Sequence, residues 1–250
     1  MQQHSYLNLQ GTDAVSVQLD GVHYARETVQ VFRGLDLHVD QRRVGIIGRN
    51  GSGKSQLARL IAGLAEADAG QVRVDGVDVA KDRKAAIQTV GILFQNPDHQ
   101  IIFPTVGEEL TFGLTAAGQS KDQAQRRAQE MLARFGRAEW YERSVHGLSG
   151  GQRHLVCLMA VLVMAPKVIV LDEPFAGLDM ATTLRLGHYL HNLGQSLIHI
   201  SHDLPSLAHY DRVLWLERGA VHMDGTPGQV LPEYERQMRE WGGSDDLADL

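Results

Sequence analysis

The sequence predicts an α/β fold: a mainly parallel sheet covered by helices, with an antiparallel β subdomain before it and an α-helical subdomain inserted into it. Short apolar runs rich in Val and Ile alternate with longer helical patterns, which is typical of parallel βα units. Two earlier segments alternate apolar with polar residues, as half-buried antiparallel strands do. Between Gln95 and Leu148 the strand pattern disappears and helical spacing replaces it.

Each element is predicted from its local pattern. The antiparallel strands are predicted at residues 15–19 and 35–39. The parallel strands are predicted at residues 44–47, 90–94, 168–171, 197–200 and 213–216. In the inserted part, apolar residues recur on one helical face: Ala124, Ala128, Met131, Leu132 and Phe135. We therefore predict one domain over residues 1–240, in which a helical subdomain at about 96–160 interrupts the α/β core, and a flexible acidic tail at 241–250.

Composition and charge argue against several classes of protein. With 24 Lys and Arg against 30 Asp and Glu, the net charge of −6 gives no general attraction for nucleic acid. The single cysteine, Cys157, lies in an apolar run and cannot form an intrachain disulfide, which fits a reducing compartment. The longest apolar run, residues 155–166, is shorter than the ~20 residues that cross a bilayer, and the opening MQQHSYLNLQ lacks a signal-peptide core. We expect a soluble chain that reaches any membrane through partners.

A glycine-rich loop predicts a phosphate site. GRNGSGKS at residues 48–55 directly follows a predicted strand and precedes a helical pattern, which is the context of a Walker A loop. Glycines let backbone amides approach phosphate oxygens at a helix N-terminus, Lys54 adds a positive charge, and the Ser55 hydroxyl is placed for Mg²⁺. The predicted nucleotide contacts are Gly48, Arg49, Asn50, Gly51, Ser52, Gly53, Lys54, Ser55 and Gln56. By itself this loop indicates only a nucleoside triphosphatase.

Two adjacent acids follow the strand predicted at 168–171. This is a Walker B arrangement, in which the strand delivers the Asp172 carboxylate to Mg²⁺. Successive strand residues point oppositely, so Glu173 can instead polarise the water that attacks the γ-phosphate, as a general base. The next strand leads to His202 at the same sheet edge, where the imidazole can hold that water in line. The structural alternatives are a solvated acid pair and a histidine beside a turn that Asp203 caps.

A second anion site is predicted at LSGGQ, residues 148–152. Its serine hydroxyl and glycine amides open a helical pattern, and one chain cannot easily apply both this site and the Walker A loop to one phosphate. The combination resembles the ABC (ATP-binding cassette) ATPase family. The resemblance implies a head-to-tail dimer with two ATP molecules between the chains, in which four residues complete the ATP site of the opposing subunit: Ser149, Gly150, Gly151 and Gln152.

The resemblance assigns further roles across residues 15–228. It implies that Tyr24 stacks on adenine, for which an ordinary strand aromatic is the alternative. It identifies Gln95 with the Q-loop glutamine, a ligand of Mg²⁺ and water, and Asp179 with the D-loop that crosses the dimer interface. The implied enzyme is an ATPase with ATP and Mg²⁺ in its site. Its implied catalytic residues are Glu173, His202 and Gln95, and its implied metal ligands are Ser55, Gln95 and Asp172.

The segment after Gln95 resembles one branch of that family. FQNPDHQ at 94–100 and FPTVGEEL at 103–110 are similar to the ATPases of energy-coupling factor (ECF) importers, which bring vitamins and transition metals into prokaryotes. This resemblance implies a transmembrane coupling subunit, a substrate-binding membrane subunit, and peripheral attachment at the cytoplasmic face of the membrane. Arginines of the coupling subunit would meet Glu108 and Glu109, for which two solvated glutamates at a helix start are the alternative.

Two departures from the family pattern bear on the cargo. Leu155 stands where the family usually has arginine, and Met180 stands where proline is frequent. Neither is expected to touch phosphate, but both weaken an assignment to the cobalt and nickel importers, so we favour biotin slightly as the cargo.

We expect an ATPase that powers an ECF-type importer, with a homodimer as the sufficient assembly. The alternative is a non-transport ABC ATPase acting on nucleic acid or ribosomes, which long coiled-coil insertions or basic patches would favour; neither is visible. A nucleotide-binding scaffold with impaired catalysis is a third possibility, against which intact Glu173, Gln95 and His202 argue.

Overall fold

The computed structural model describes residues 14–242 of the chain, which contain ten strands and seven α-helices. The strands are β1 (Val17–Arg26), β2 (Val29–Val39), β3 (Arg43–Ile47), β4 (Ala69–Val74), β5 (Val77–Asp78), β6 (Val90–Leu93), β7 (Val168–Asp172), β8 (Ser196–Ile200), β9 (Arg212–Glu217) and β10 (Ala220–Gly225). The helices are α1 (Lys54–Ile61), α2 (Arg83–Thr89), α3 (Val106–Ala116), α4 (Lys121–Arg134), α5 (Gly150–Val163), α6 (Met180–His191) and α7 (Pro227–Gly242).

Six strands form the central sheet in the order β10-β9-β3-β8-β7-β6, with all neighbours parallel except β10 and β9. Every residue of β7 and β8 is buried, because one face packs against the core that contains α1 and the other against the core that contains α5. Burial on both faces is why these strands appear as unbroken apolar runs. All five predicted parallel strands are confirmed, with ends that differ by one residue at most. The residues that follow β3, β7 and β8 therefore meet at one sheet edge.

The second sheet is antiparallel, in the order β2-β1-β4-β5. It confirms the predicted N-terminal β subdomain, although β1 and β2 extend well beyond residues 15–19 and 35–39 because they continue into a hairpin with each other. Strands β4, β5 and β10 are not among the predicted elements. They lie at or near sheet edges, where exposed polar residues leave only a weak apolar pattern.

Helices α3, α4 and α5 lie between β6 and β7, where the sequence predicts an inserted helical subdomain. The predicted inward face is buried at Ala124, Ala128, Met131 and Leu132, and Phe135 packs against the same core from the end of α4. Helix α5 continues past residue 160 to its last residue, Val163. Its buried side chains share one core with β6 and β7, so the helices are joined to the central sheet by packing. The subdomain boundaries stay a prediction.

Helix α7 ends the described part of the chain. It includes Trp241 and Gly242, the first two residues of the predicted flexible tail. The tail prediction is corrected at these two residues, because Trp241 packs over Arg49 and beside Trp215. The remainder of the tail lies outside the described residues. Within residues 14–242, no helix combines the length and apolar character that a bilayer crossing requires.

Candidate nucleotide-binding site

The Walker A loop connects β3 to α1 and depends on glycine at two positions. Gly48 has φ 150°, and a Cβ there would lie 2.0 Å from the carbonyl oxygen of Leu216. Gly53, the residue before α1, has φ 105°, in the left-handed region that side chains disfavour. The loop is thus held close to strand β9, in a path that only glycine permits.

Lys54 is buried inside this loop, with 7% of its surface exposed. Its Nζ donates to the carbonyl oxygens of Gly48 at 2.7 Å and Arg49 at 2.8 Å. Burial lowers the pKa of Lys54, and the nearby carboxylates of Glu173 and Asp172 oppose that shift. Beside it, Ser52 is buried and its Oγ has no hydrogen-bond partner among the described residues. A cation and an unsatisfied hydroxyl so placed fit a phosphate group, which supplies acceptors for both.

Asp172 ends β7 with 8% of its surface exposed, and the Ser55 side chain lies close enough to act on its pKa. Burial raises the pKa of Asp172, while the Ser55 side chain and the charge of Lys54 oppose that shift. Carboxylate and hydroxyl oxygens are the donors that Mg²⁺ prefers. This pair therefore fits the predicted metal site.

Glu173 and His202 are brought together at the ends of β7 and β8. The His202 amide donates to Glu173 Oε2 at 3.2 Å, and His202 Nε2 lies 3.4 Å from Glu173 Oε1. Burial raises the pKa of Glu173, and burial followed by the charge of Lys54 lowers the pKa of His202. Glu173 has φ 51°, and its amide donates to the Ile200 carbonyl at 3.0 Å. The acid is thus fixed in a left-handed backbone conformation between the two strand ends.

Strand β8 also carries a buried histidine, His199, that was not among the predicted site residues. The Nδ1 of His199 forms a hydrogen bond with the Tyr210 hydroxyl at 2.8 Å, in which the tautomer of the ring decides the donor. Its ring also meets Phe175, two residues after Glu173, edge-on at 5.5 Å between centroids. Burial lowers the pKa of His199 to about 3. It appears in the sequence as one residue of an apolar run, so no motif marks it.

Tyr24 contacts the Walker A helix, whereas Gln95 lines a cavity whose lining includes neither Ser55 nor Asp172. The Tyr24 hydroxyl donates to the side chain of Gln56 in α1 at 3.4 Å, which holds the aromatic ring beside the Walker A helix. Gln95 is exposed just beyond β6. It lines a cavity of about 520 Å³ together with Gly150 of the LSGGQ segment and residues 176–178.

The LSGGQ segment starts helix α5. Ser149 Oγ accepts from the Gln152 amide at 3.3 Å, and the Gln152 side chain accepts from the Ser149 amide at 3.0 Å, so the two residues form a capping box. Among the described residues, no hydrogen bond links Ser149 or Gln152 to Lys54 or Ser55. The structure therefore does not join the two predicted anion sites within one chain.

Asp179 caps the start of α6. Its carboxylate accepts from the Thr182 amide at 2.9 Å and from the Thr182 hydroxyl at 2.8 Å, and these bonds lower the pKa of Asp179. The capping role explains this acid locally. A nucleotide contact by Asp179 stays a prediction.

The two glutamates predicted to face a membrane partner differ in environment. Glu108 is exposed and completes a capping box with Thr105. Glu109 is buried, and its Oε2 accepts from the amides of Ile102 at 2.9 Å and Phe103 at 3.0 Å. The expectation that both charges are available on the surface is thus wrong for Glu109, because its position on α3 faces inward and its carboxylate is used by the preceding loop.

A family model described as ABC transporter matches residues 32–176, from β2 to just past Glu173. The chain belongs to the ABC transporter family. It is accordingly an ATP-binding and ATP-hydrolysing subunit, as the paired Walker A and LSGGQ motifs predict.

Three relatives illustrate the family likeness. The biotin transport ATP-binding protein BioM of Rhodobacter capsulatus is 48% identical over 224 residues, covering 90% of this chain and 96% of the relative. The energy-coupling factor transporter ATP-binding protein EcfA of Methanothermobacter thermautotrophicus is 37% identical, over 81% of this chain and 68% of the relative. The structure of cbiO1 from Clostridium perfringens, part of the ABC transporter complex cbiONQ, matches with a TM-score of 0.74 at 28% identity, over 91% of this chain and 94% of that one. These likenesses confirm the predicted ABC ATPase fold and the resemblance to ECF-type ATPases.

Proposed function

We propose that this chain is the ATPase subunit of an ECF-type importer and that it works as a head-to-tail dimer, with biotin as its cargo. The observation that carries the proposal is the meeting of Lys54, Ser55, Asp172, Glu173 and His202 at one sheet edge, without Ser149. Each chain thus carries one half of an ATP site, and the LSGGQ half would have to come from a second chain. A head-to-tail dimer with ATP between the chains supplies it.

Lys54 and Ser52 would bind the β- and γ-phosphates of ATP. The Nζ of Lys54 would exchange its carbonyl partners for phosphate oxygens, and Ser52 Oγ would donate its free hydrogen. Ser55 and Asp172 would hold Mg²⁺, with Gln95 as a further ligand. The ion, when bound, would neutralise charge that develops on the phosphates. Tyr24 would lie against adenine from its place beside Gln56.

Glu173 would act as the general base. One carboxylate oxygen takes a proton from water, the water oxygen forms the new bond to the γ-phosphorus, and the bond to the ADP oxygen breaks. The raised pKa of Glu173 brings its basicity closer to that needed at neutral pH. His202, whose pKa is lowered, would remain a neutral hydrogen-bonding partner that orients the acid and the water.

A second copy would complete each ATP site. Ser149, Gly150 and Gly151 begin α5 and would offer a helix N-terminus to the γ-phosphate held by the opposing Walker A loop. Asp179 would lie at the interface between the copies. ATP would hold the dimer closed, and hydrolysis would open it.

The surface near α3 would dock a transmembrane coupling subunit. Ile102 is 72% exposed and Phe112 is 47% exposed, and the rings of Phe103 and Phe112 are 4.9 Å apart. Glu108 offers a carboxylate at the rim of this apolar patch. A helix with apolar side chains and an arginine would match both features.

Biotin is supported by the 48% identity to BioM over 96% of that protein's length. To test the proposal, the chain is expressed together with the membrane proteins that co-purify with it. ATP-dependent uptake of labelled biotin into vesicles that contain these proteins is then measured. Uptake that the Glu173→Gln variant abolishes supports the proposal. ATPase-dependent uptake of cobalt or nickel in place of biotin would overturn the cargo, and recovery with ribosomes or nucleic acid in place of a membrane protein would overturn the importer role.

A further inference from the structure

The side chain of Arg49, in the Walker A loop, binds residues at the end of the neighbouring strand β9 and at the end of α7. Its Nε and Nη2 donate to Glu217 Oε1, at the end of β9, at 3.1 and 2.8 Å. Its guanidinium lies over the indole ring of Trp241, in the last turn of α7, at 4.3 Å from the centroid. A residue of the phosphate loop is thus held between a carboxylate and an aromatic face.

Trp241 is anchored by aromatic packing. Its ring lies 6.4 Å from that of Trp215, which in turn meets Tyr234 of α7 edge-on at 5.1 Å. Trp215 is paired in the sheet with Ile47, the residue directly before the loop. The last turn of α7 is therefore tied to the strand that leads into the Walker A loop.

Glu217 places a negative charge beside the phosphate site. It is 12% exposed, its Oε2 has no hydrogen-bond partner among the described residues, and its charge acts on Lys54. The turn after β9 touches the loop directly, because the Gly219 amide donates to the Ser52 carbonyl at 3.0 Å. Without the guanidinium, this carboxylate would repel the triphosphate that Lys54 attracts.

We propose that Trp241 is a positioning residue for nucleotide binding: its ring keeps Arg49 on Glu217, so that the Glu217 charge is neutralised where the phosphates bind. The inference rests on the proposed role of the Walker A loop. It gives Trp241, which follows Arg49 by 241 − 49 = 192 residues in the chain, a function in setting ATP affinity.

The test measures the Kd of ATP in the presence of Mg²⁺ by calorimetry on the full chain. Trp241→Ala is expected to weaken binding about threefold, and Arg49→Gln about tenfold. Arg49→Gln combined with Glu217→Gln is expected to recover affinity to within about twofold of wild type. No uncompensated charge then remains, and the backbone amide through which position 49 is predicted to contact phosphate is kept. Trp241→Phe, which keeps an aromatic face, should bind nearly as the wild type does. The value of kcat should stay unchanged in the Trp241 variants.

Arg239→Ala is the matched control, since Arg239 lies on the same helix with an exposed side chain that pairs with Glu235. It should leave the Kd unchanged. Two outcomes would overturn this inference alone. One is a double variant that binds ATP no more tightly than Arg49→Gln does. The other is a Trp241→Ala variant that has the wild-type melting temperature and the wild-type Kd. A wild-type chain that binds no ATP would overturn the proposed function with it.

Discussion

The carboxylate of Glu173 and the imidazole of His202 lie 3.4 Å apart, although 29 residues separate them in the chain. The contact exists because β7 and β8 are parallel neighbours that end at the same sheet edge. The His202 amide fixes one carboxylate oxygen and leaves the other directed at the ring.

Glu173→Gln should retain ATP binding and lose at least about 100-fold in hydrolysis, because the amide cannot accept a proton from water. Phosphate release and ATP-dependent dimerisation on a sizing column would be measured together with the membrane partners present. Glu235→Gln, on the exposed face of α7, is the control. Hydrolysis at the parental rate in Glu173→Gln would show that another group is the base.

The pH dependence of hydrolysis should report the raised pKa of Glu173. Because burial favours its neutral form, Glu173 takes up a proton at higher pH than an ordinary glutamate, whose pKa is about 4.3. The rate should therefore fall on acidification at a pH above that value. An acid limb at or below about 4.3 would contradict the assignment.

Variants at His199 should separate two contributions of this residue to stability: its hydrogen bond to Tyr210 and its resistance to protonation. In His199→Leu the partly buried Tyr210 hydroxyl loses its partner, and we expect the free energy of unfolding at neutral pH to fall by about 1–3 kcal/mol. The added Tyr210→Phe change should recover much of that loss, because both polar partners are then absent. Urea unfolding at about pH 7 gives the comparison.

Both variants should differ from the wild type in acid, because both lack His199. His199 has a folded pKa of about 3, so below its ordinary value of about 6.5 the unfolded chain binds a proton that the folded chain does not. The free energy of unfolding should therefore fall as pH drops from about 6.5 towards 3, by about 1.4 kcal/mol per pH unit from this group. The double variant should lack this component. Identical acid dependence in wild type and double variant would show that His199 does not remain neutral.

Glu109→Ala should disturb the loop that displays Ile102 and Phe103. The buried carboxylate accepts hydrogen bonds from both backbone amides, so its loss should lower the free energy of unfolding by about 1.5–3 kcal/mol for each amide left unpaired. The disturbed loop should also weaken coupling to the membrane partner. ATP affinity of the isolated chain should not change. Glu108→Gln, which keeps a capping side chain at the same helix start, is the control for stability. Partner-stimulated ATPase at the wild-type level in Glu109→Ala would contradict this prediction.

The sequence by itself determined the parts of the protein whose chemistry is local. Gly48, Gly53 and Lys54 are close in the chain because one short loop makes the predicted phosphate site. Asp172 and Glu173 directly follow a buried strand that leads to it. Parallel strands buried on both faces produce apolar runs that any reading of the sequence detects. The strands β4, β5 and β10, which lie at or next to a sheet edge, were missed because hydrogen bonding to a neighbour, more than apolar pattern, holds them.

Only the tertiary structure decided which of several similar side chains does what. Adjacent residues on a helix point about 100° apart, so packing of α3 buries Glu109 and exposes Glu108. Glu217 and Trp241 meet Arg49 across more than 160 residues, as the 168-residue separation of Arg49 and Glu217 shows. Such contacts leave no local pattern, because they arise when strand order and helix placement bring distant charges to one edge. Glu173 and His202 also meet at this edge. The sequence predicted that both residues follow neighbouring strands, and the structure shows that their side chains are in contact.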